Sequence, residues 1–370
     1  MPNSPTNNPI FDPTATVGNA VNAYLNATLT PNIVVGLICQ GQRYFFTYAN
    51  ANTTITPAPK ELTATTVFEI GSITKAFTAT MLSYKVGYGY MSLLDPVTKY
   101  LPYTFAQNAG LNNVTIGQLA THTSGMPNQG AAKPAKELFG GDEPSNDLIA
   151  WWQGFNTPPV KPPPPPCWLY SNIGFVTLGF AVGGCNPNNY NGLLSTYITD
   201  ELNMTQTASQ NPPGLTVAQG YIGTATSNTP VTKEADDLKS TAQDMTIFLD
   251  ACISPYQASI PGSLGTALAY AQNPFFNGNA CETNTPLTFK QGLAWQISQL
   301  TSNGSNYSLV AKDGATSRGG FQSWIGFIPS VMGIVLLGNK FMTEPTKPPQ
   351  SLARTGRSIL QTLLDANVNA

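Results

Sequence analysis

The sequence predicts an α/β protein that also contains an all-helical region, and two observations carry this prediction. Strand-like segments rich in aliphatic and aromatic residues occur near both ends of the chain, whereas the middle consists of helical segments separated by Gly/Pro/Asn loops. This order is typical of a discontinuous α/β domain that carries a helical insertion. We therefore predict an α/β domain from residues 1–92 and 281–370 and a helix-rich domain from residues 93–280, with the active site at their interface.

In the first quarter of the chain, apolar periodicity predicts a helix, a hairpin of two strands, a short strand and a second helix, in that order. Their residues are 17–29, 32–39, 43–49, 68–70 and 72–86. Gly71 interrupts the pattern directly before the second helix, so Ser72 is predicted to lie at a helix N-terminus.

The rest of the chain follows the same division. Helices are predicted over residues 116–121, 146–152, 173–182, 193–202 and 242–251. Strands are predicted over 293–297, 308–312, 323–328 and 332–339, before a closing helix over 349–366. Residues 158–166 are mostly prolines, which cannot donate helix hydrogen bonds, so an extended polyproline segment is predicted there. We interpret it as a rigid loop that delivers Tyr170 rather than as an SH3-type ligand.

Charge and hydropathy exclude two classes of partner. The formal net charge is −2 and the Lys and Arg residues are scattered, which leaves no basic surface for nucleic acid or an anionic membrane. No apolar run reaches the roughly 18–20 residues that a membrane-spanning helix needs. We therefore expect neither nucleic acid nor a membrane as a partner.

The five cysteines show no spacing typical of a metal site, and we interpret them as buried thiols with room for one disulfide. No metal and no cofactor are expected. Residues 1–13 are polar and lack the basic start and apolar stretch of a signal peptide. We therefore expect the chain to be the mature form of a periplasmic or secreted protein.

The first element that carries chemistry is an S-x-x-K sequence formed by Ser72 and Lys75. Positions i and i+3 share one helical face, so the Lys75 ammonium can reach the Ser72 hydroxyl. A helix N-terminus adds unpaired N–H groups and a positive dipole end, which stabilise a developing oxyanion. Because such a spacing arises by chance in many helices, the motif indicates a catalytic site only when other matching motifs accompany it.

Two accompanying motifs follow the S-x-x-K element later in the chain. Tyr170, Ser171 and Asn172 follow the proline segment, and Lys312, Asp313 and Gly314 end a predicted strand. Together with the S-x-x-K element they resemble the S-x-x-K, Y-x-N and K-T/S-G triplet of penicillin-recognising serine hydrolases.

The resemblance extends to class C β-lactamases over most of residues 17–364. It is carried by residues 94–100, 119–127, 218–221, 239–241, 291–295, 325–329 and 337–340. It implies the β-lactamase/transpeptidase-like fold, an antiparallel sheet flanked by helices with a helical insertion. It also implies a monomeric serine β-lactamase whose partner is a small-molecule β-lactam.

The resemblance further implies a role for each matched residue. Ser72 is the acylated nucleophile, Lys75 holds or accepts its proton, and Tyr170 between Lys75 and Lys312 is the general acid/base. For that task the Tyr170 pKa must fall below its ordinary value of about 10.

On the substrate side, the backbone N–H groups of Ser72 and Ala315 form the oxyanion hole, and two amide side chains contact the substrate's own amide. The implied substrate-binding residues are Gln129, Asn172, Tyr221, Asp313, Gly314, Arg318 and Asn339.

One departure from the family pattern concerns Asp313, which stands where Thr or Ser is usual. A carboxylate there repels the substrate carboxylate that the hydroxyl helps to bind. Ser317 and Arg318 are two extra residues before the Gly-Gly-Phe sequence at 319–321. We hypothesise that Arg318 compensates for Asp313 by supplying the missing anion contact. The alternative, a solvent-exposed Arg318 with Asp313 turned away, has equal weight.

Other hydrolase mechanisms find little support. No G-x-S-x-G sequence occurs, and the single histidine, His122, is expected to anchor a core or loop segment. Two alternatives stay open. The same fold and residues serve an esterase or a D-Ala-D-Ala carboxypeptidase, which Asp313 favours. The second alternative is a sensor module that β-lactams acylate without turnover.

Overall fold

In the computed structural model, the segment Asn32-Ile-Val-Val-Gly-Leu-Ile-Cys39 forms a strand that is buried along its entire length. Continuous apolar sequence without alternation is typical of a strand that is covered on both faces, and this strand lies inside a large sheet. The structure describes residues 12–53, 61–101, 109–126, 128, 166–184, 187–223, 225–227, 238–254, 263–342 and 351–366.

Nine α-helices and twelve strands are found within the described residues. The helices are α1 (Thr14–Thr28), α2 (Thr74–Gly87), α3 (Ala109–Asn112), α4 (Ile116–Ala120), α5 (Asn172–Val182), α6 (Pro187–Leu194), α7 (Ala242–Ile253), α8 (Leu264–Ala271) and α9 (Leu352–Asp365). The strands are β1 (Asn32–Cys39), β2 (Gln42–Ala49), β3 (Phe68–Glu69), β4 (Gly220–Ile222), β5 (Ala225–Ser227), β6 (Lys239–Ser240), β7 (Lys290–Gln291), β8 (Gln296–Ser302), β9 (Ser305–Thr316), β10 (Phe321–Ile328), β11 (Met332–Gly338) and β12 (Lys340–Phe341).

The main sheet has seven strands in the order β2-β1-β11-β10-β9-β8-β7, and every neighbouring pair in it is antiparallel. Strand β1 pairs with β11, for example at Val35 and Leu336, so the chain returns after about three hundred residues to complete the sheet it began. The sheet therefore draws its strands from residues 32–49 and 290–338. The domain boundaries at 92 and 281 stay predictions.

Each face of the sheet packs against its own layer of helices. Val34 and Ile38 of β1 belong to the core shared with α2, α5, α7 and α8, whereas Val35 and Leu37 belong to the core shared with α1 and α9. Side chains alternate across a strand, so the two cores lie on opposite faces. The predicted antiparallel sheet flanked by helices is confirmed.

Several predicted boundaries shift. Strand β9 continues to Thr316 instead of ending at 312, because its last residues pair with β10. The strand predicted over 293–297 is wrong in its first half, since residues 292–295 form a turn in which Ala294 has φ of 66°. The helix predicted over 193–202 gives way to α6 and a π turn at Ser195–Thr199. The predicted helix at 146–152 and residues 158–165 of the polyproline segment lie outside the described residues.

One disulfide forms, between Cys167 and Cys281, which are 114 residues apart in the sequence. Cys39 and Cys252 are buried free thiols, as the sequence predicted, and Cys185 lies outside the described residues. Within the described part of the chain, no helix is long and apolar enough to cross a membrane.

Candidate active site

Ser72 lies in a short 3₁₀ turn, Gly71–Ile73, that leads directly into α2. The α-helix begins at Thr74, two residues later than predicted, because Gly71 enters the turn with φ of +54°. The Ser72 residue is largely buried, with 9% of its surface exposed.

Lys75 lies one turn further along and reaches back to the serine. Its Nζ donates a hydrogen bond of 2.8 Å to Ser72 Oγ, and the residue is fully buried. Burying an ammonium costs free energy unless it is hydrogen-bonded. The S-x-x-K spacing therefore produces the contact that the sequence predicted.

Tyr170 arrives at the same oxygen from a distant segment. Its hydroxyl donates a hydrogen bond of 2.7 Å to Ser72 Oγ. The ammonium groups of Lys75 and Lys312 lie 5.3 Å and 5.2 Å from the centre of the Tyr170 ring. Burial acts to raise the pKa of the phenol, but the positive charges of Lys312 and Lys75 outweigh it, so the Tyr170 pKa lies below its ordinary value.

Lys312 projects from β9 and is 1% exposed. Its Nζ lies 3.8 Å from Oδ1 of Asp313, whose side chain is 62% exposed. Burial acts to lower the pKa of Lys312, but the Asp313 carboxylate and the Tyr170 phenol more than offset it, so the Lys312 pKa is raised. Lys312 therefore stays charged next to the phenol.

The segment that carries Tyr170 is fixed at several points. The Leu169 N–H donates to the His122 carbonyl at 2.7 Å, and the Ser171 N–H donates to His122 Nδ1 at 3.2 Å. The Ser171 hydroxyl caps α5 by accepting from the Gly174 N–H at 2.8 Å. The Cys167–Cys281 disulfide ties down the segment three residues before Tyr170.

His122 is 2% exposed and its ring centre lies 4.4 Å from that of Tyr170. Burial and the nearby charges of Lys312 and Lys75 hold the His122 pKa well below its ordinary value of 6.5, so the imidazole is neutral. Its contacts agree with the expected anchoring role.

The backbone of β9 lies directly against the serine turn. A side chain at Gly71 would place its Cβ 2.5 Å from the Ala315 nitrogen, and one at Gly314 would place it 2.1 Å from the Ile70 carbonyl oxygen. The Ser323 hydroxyl, on the neighbouring strand, donates to that same carbonyl at 2.7 Å. Sequence reasoning missed Gly71 and Ser323 as site residues, and the glycine directly before the serine was the available signal.

Asn172 begins α5, two residues after Tyr170. Its Nδ2 donates to Asn128 Oδ1 at 2.9 Å, whereas its own Oδ1 is buried and accepts no hydrogen bond from the described residues. Gln129 lies outside the described residues. Tyr221 is 4% exposed, and its N–H is shared between the carbonyls of Gly320 and Asn339.

Asn339 lies in the interior of the structure, and its predicted role in substrate binding stays a prediction. The residue is 1% exposed and both ends of its amide are used within the protein. Its Oδ1 accepts from the Asn32 N–H at 2.8 Å, and its Nδ2 donates to Asn32 Oδ1 and to the Gln219 carbonyl. Asn339 therefore joins the start of β1 to the segment before β4.

Arg318 lies in the turn between β9 and β10 and is half-buried. Within the described residues it forms no ion pair, and the Asp313 carboxylate is instead paired with Lys312. Its role as the compensating anion contact stays a hypothesis.

The arrangement brings one hydroxyl into contact with an ammonium and a phenol, beside a second ammonium and a pair of closely packed backbone segments. Such a group can activate a serine, move its proton and stabilise an oxyanion. Among the described residues, no cluster of three or more His, Cys, Asp or Glu side chains is placed to hold a metal ion.

Comparison with known proteins bears on the fold and the family of the chain. Among solved structures, a class C beta lactamase from Rhodobacter sphaeroides shares the fold, with 24% identity and a TM-score of 0.74 over 94% of this chain and 99% of that one. Another structure, described as a class C beta-lactamase, shares it with 20% identity and a TM-score of 0.75 over 95% of this chain and 96% of that one. The chain thus has the β-lactamase/transpeptidase-like fold.

A family model described as Beta-lactamase matches residues 19–355, and the chain belongs to that family. Among its relatives, the beta-lactamase of Escherichia coli (strain K12) is 27% identical over 88% of this chain and 91% of that protein. The beta-lactamase of Psychrobacter immobilis is 25% identical over 84% of this chain and 79% of that protein.

Proposed function

We propose that this protein is a serine β-lactamase of the class C type, which hydrolyses the β-lactam amide through an acyl-enzyme on Ser72. The observation that carries the proposal is that Ser72 Oγ is hydrogen-bonded by both Lys75 and Tyr170, at 2.8 Å and 2.7 Å. A nucleophile within reach of a group that can take its proton is the signature of covalent catalysis.

In the acylation step, Ser72 Oγ attacks the lactam carbonyl and its proton passes to Tyr170 or Lys75. Tyr170 can accept the proton only as a phenolate, and the charges of Lys75 and Lys312 favour that form. The protonated phenol then delivers the proton to the lactam nitrogen as the C–N bond breaks. Deacylation runs the same transfers with water as the nucleophile.

The negative charge on the carbonyl oxygen requires donors at the attack site. The backbone N–H groups of Ser72 and Ala315 are the proposed pair, supported by the close packing of Gly71 on Ala315. Loss of one such donor typically lowers the rate by about 10² to 10³.

The substrate is held by groups on both sides of the serine. Lys312 supplies positive charge for the carboxylate of the β-lactam, and Asn172, with Gln129, contacts its side-chain amide. Tyr221, Gly314 and Arg318 are the remaining proposed contacts.

One observation favours a second candidate, an esterase or D-Ala-D-Ala carboxypeptidase with the same machinery. The Asp313 carboxylate lies 3.8 Å from Lys312 Nζ, and its side chain is 62% exposed. It neutralises part of the charge that would bind an anionic substrate, which favours neutral esters over penicillins.

A chromogenic cephalosporin and a p-nitrophenyl ester test these candidates together. Sustained cephalosporin turnover, with a covalent adduct on Ser72 seen by mass spectrometry and lost in Ser72→Ala, is the expected result. A single stoichiometric burst would instead indicate a sensor, and ester cleavage without any cephalosporin reaction would indicate an esterase. Absence of an adduct on Ser72 with either compound would overturn the mechanism.

An extracytoplasmic location, periplasmic or secreted, is also proposed. It is supported by the Cys167–Cys281 disulfide, because structural disulfides persist in oxidising compartments.

A further inference from the structure

A cavity lies on the far side of the main sheet from Lys312, between the first turns of α9 and the sheet edge formed by β7 and β8. Its volume is about 660 Å³, within the range of small-molecule sites. It is lined by Asn277, Leu287, Thr288, Phe289, Lys290, Gln296, Ile297, Ser298, Gln299, Leu309, Ala311, Trp324, Ala353, Arg354 and Arg357.

The floor of this cavity is apolar and firmly packed. Leu309 and Trp324 are 2% and 3% exposed and belong to the core beneath α9. The Trp324 ring can lie against α9 because residue 356 is glycine, where a Cβ would come within 2.2 Å of the indole. A rigid floor containing an indole suits a flat or branched apolar group.

The rim is cationic. Lys290, Arg354 and Arg357 line the cavity, and no carboxylate is found among the described lining residues. Arg357 is held in place, because its guanidinium donates to Ser298 Oγ at 2.9 Å and to the Gln299 carbonyl. Arg354 is exposed, and its side chain forms no ion pair within the described residues. A preorganised guanidinium beside a second one is well suited to a carboxylate or sulfonate.

We propose that this cavity is a second binding site, distinct from the catalytic one, for a small organic anion that has an apolar, preferably aromatic, body and one carboxylate or sulfonate group. The alternation of side chains along β9 separates the two sites: Ala311 lines the cavity, whereas Lys312 projects to the opposite face beside Tyr170. The two sites therefore share a strand but no lining side chain.

The probe is 8-anilinonaphthalene-1-sulfonate, whose fluorescence rises when it enters an apolar site. Titration is carried out on the full chain after Ser72 has been acylated by a β-lactam inhibitor whose adduct is not hydrolysed, so that the acyl group occupies the catalytic site. One site per chain is expected. N-phenyl-1-naphthylamine, which has the same rings but no sulfonate, should bind at least tenfold more weakly.

Charge reversal on the rim provides the decisive variants. Arg354→Glu and Lys290→Glu should each weaken probe binding at least tenfold, because both side chains are exposed and neither supports the fold. Arg43→Glu is the matched control, since Arg43 lies on β2 at the opposite edge of the same sheet. The Arg43→Glu variant should bind the probe as tightly as the protein without any substitution on the cavity rim.

Ala353→Trp offers an independent test, because the larger ring fills the cavity from α9 and should abolish binding while circular dichroism stays unchanged. The proposal is overturned if Arg354→Glu and Arg43→Glu bind the probe equally, if Ala353→Trp binds as before, or if blocking Ser72 removes the binding.

Discussion

Tyr170 shows at the scale of one residue how a distant segment completes a site. Its hydroxyl contacts Ser72 Oγ, although ninety-eight residues separate the two in sequence. Two buried ammonium groups next to one phenol are costly unless the phenol can carry negative charge. The two lysine charges therefore cost stability when they are buried, but they also lower the Tyr170 pKa and so favour proton transfer.

Tyr170→Phe removes the hydroxyl and keeps the ring. We expect kcat for the hydrolysed substrate to fall by about 10² to 10⁴, the usual contribution of a positioned acid/base group. Steady-state kinetics with the chromogenic cephalosporin checks this. Tyr44→Phe, on β2 at the far edge of the sheet, is the matched control and should keep full activity. Equal activity of the two variants would contradict the assigned role.

His122 gives a pH dependence of stability. Its pKa in the folded protein lies below 6.5, because burial and two lysines disfavour the imidazolium. As the pH falls below 6.5, the His122 imidazole is therefore protonated in the unfolded chain but stays neutral in the folded one. The free energy of unfolding falls as the pH falls. Urea denaturation of wild type and His122→Asn at pH 7.5 and pH 5 should show a smaller loss in the variant. Parallel losses would show that His122 contributes nothing to this dependence.

At the scale of the element, the turn before α2 and the end of β9 form one unit. Gly71 combines a positive φ with a contact so close that no side chain fits against Ala315. The two backbone segments that are proposed to supply the oxyanion donors are thereby held together.

Gly71→Ala should destabilise the fold and also lower kcat by about 10² or more, because it pushes the Ala315 backbone away from Ser72. Gly41→Ala separates the two causes. Gly41 also has a positive φ, of 69°, but no atom lies within 4 Å of the added Cβ. The control should cost about 1–2 kcal/mol of stability through backbone strain alone and leave activity unchanged. Activity loss in both variants, or in neither, would contradict the packing argument.

The Cys167–Cys281 disulfide acts on another element, the segment that ends in Tyr170. Replacing both cysteines by alanine should lower the free energy of unfolding by about 2–5 kcal/mol. It should also lower kcat, since the segment loses its anchor three residues before the phenol. Thermal denaturation and kinetics with and without reductant measure both effects. Reductant should impair the wild type but have no effect on the double variant. An effect of equal size on both proteins would rule out the disulfide as its cause.

For the whole molecule, the decisive feature is that one sheet is built from both ends of the chain. Its two faces bury separate apolar cores, and the site lies where β9 meets α2 on one of them. Phe77 of α2 and Phe248 of α7 stack with ring centres 4.2 Å apart inside that core.

Phe248→Ala should lower the free energy of unfolding by about 3–5 kcal/mol, because it leaves a cavity between two helices that pack on the sheet. Phe45→Ala is the matched control, since Phe45 is 40% exposed on β2, and its change should stay within about 0.5 kcal/mol. Thermal and urea denaturation measure both. Similar losses in the two variants would contradict the burial pattern.

The sequence by itself determined the local chemistry and most of the elements. Serine and lysine three residues apart in a helical pattern already bring an ammonium to a hydroxyl, and the apolar run at 32–39 already predicts a strand. The order of three short motifs was enough to identify the family resemblance. These features depend on residues that are close in sequence, where helix and strand periodicity fix the geometry.

The tertiary structure alone decided what depends on residues far apart. It paired Cys167 with Cys281, packed Gly71 on Ala315, extended β9 to Thr316 through its pairing with β10, and joined the buried Asn339 amide to Asn32. The physical reason is that these contacts join segments separated by more than one hundred residues or depend on pairing with a neighbouring strand. No local sequence pattern specifies which distant segment of the chain will form such a contact.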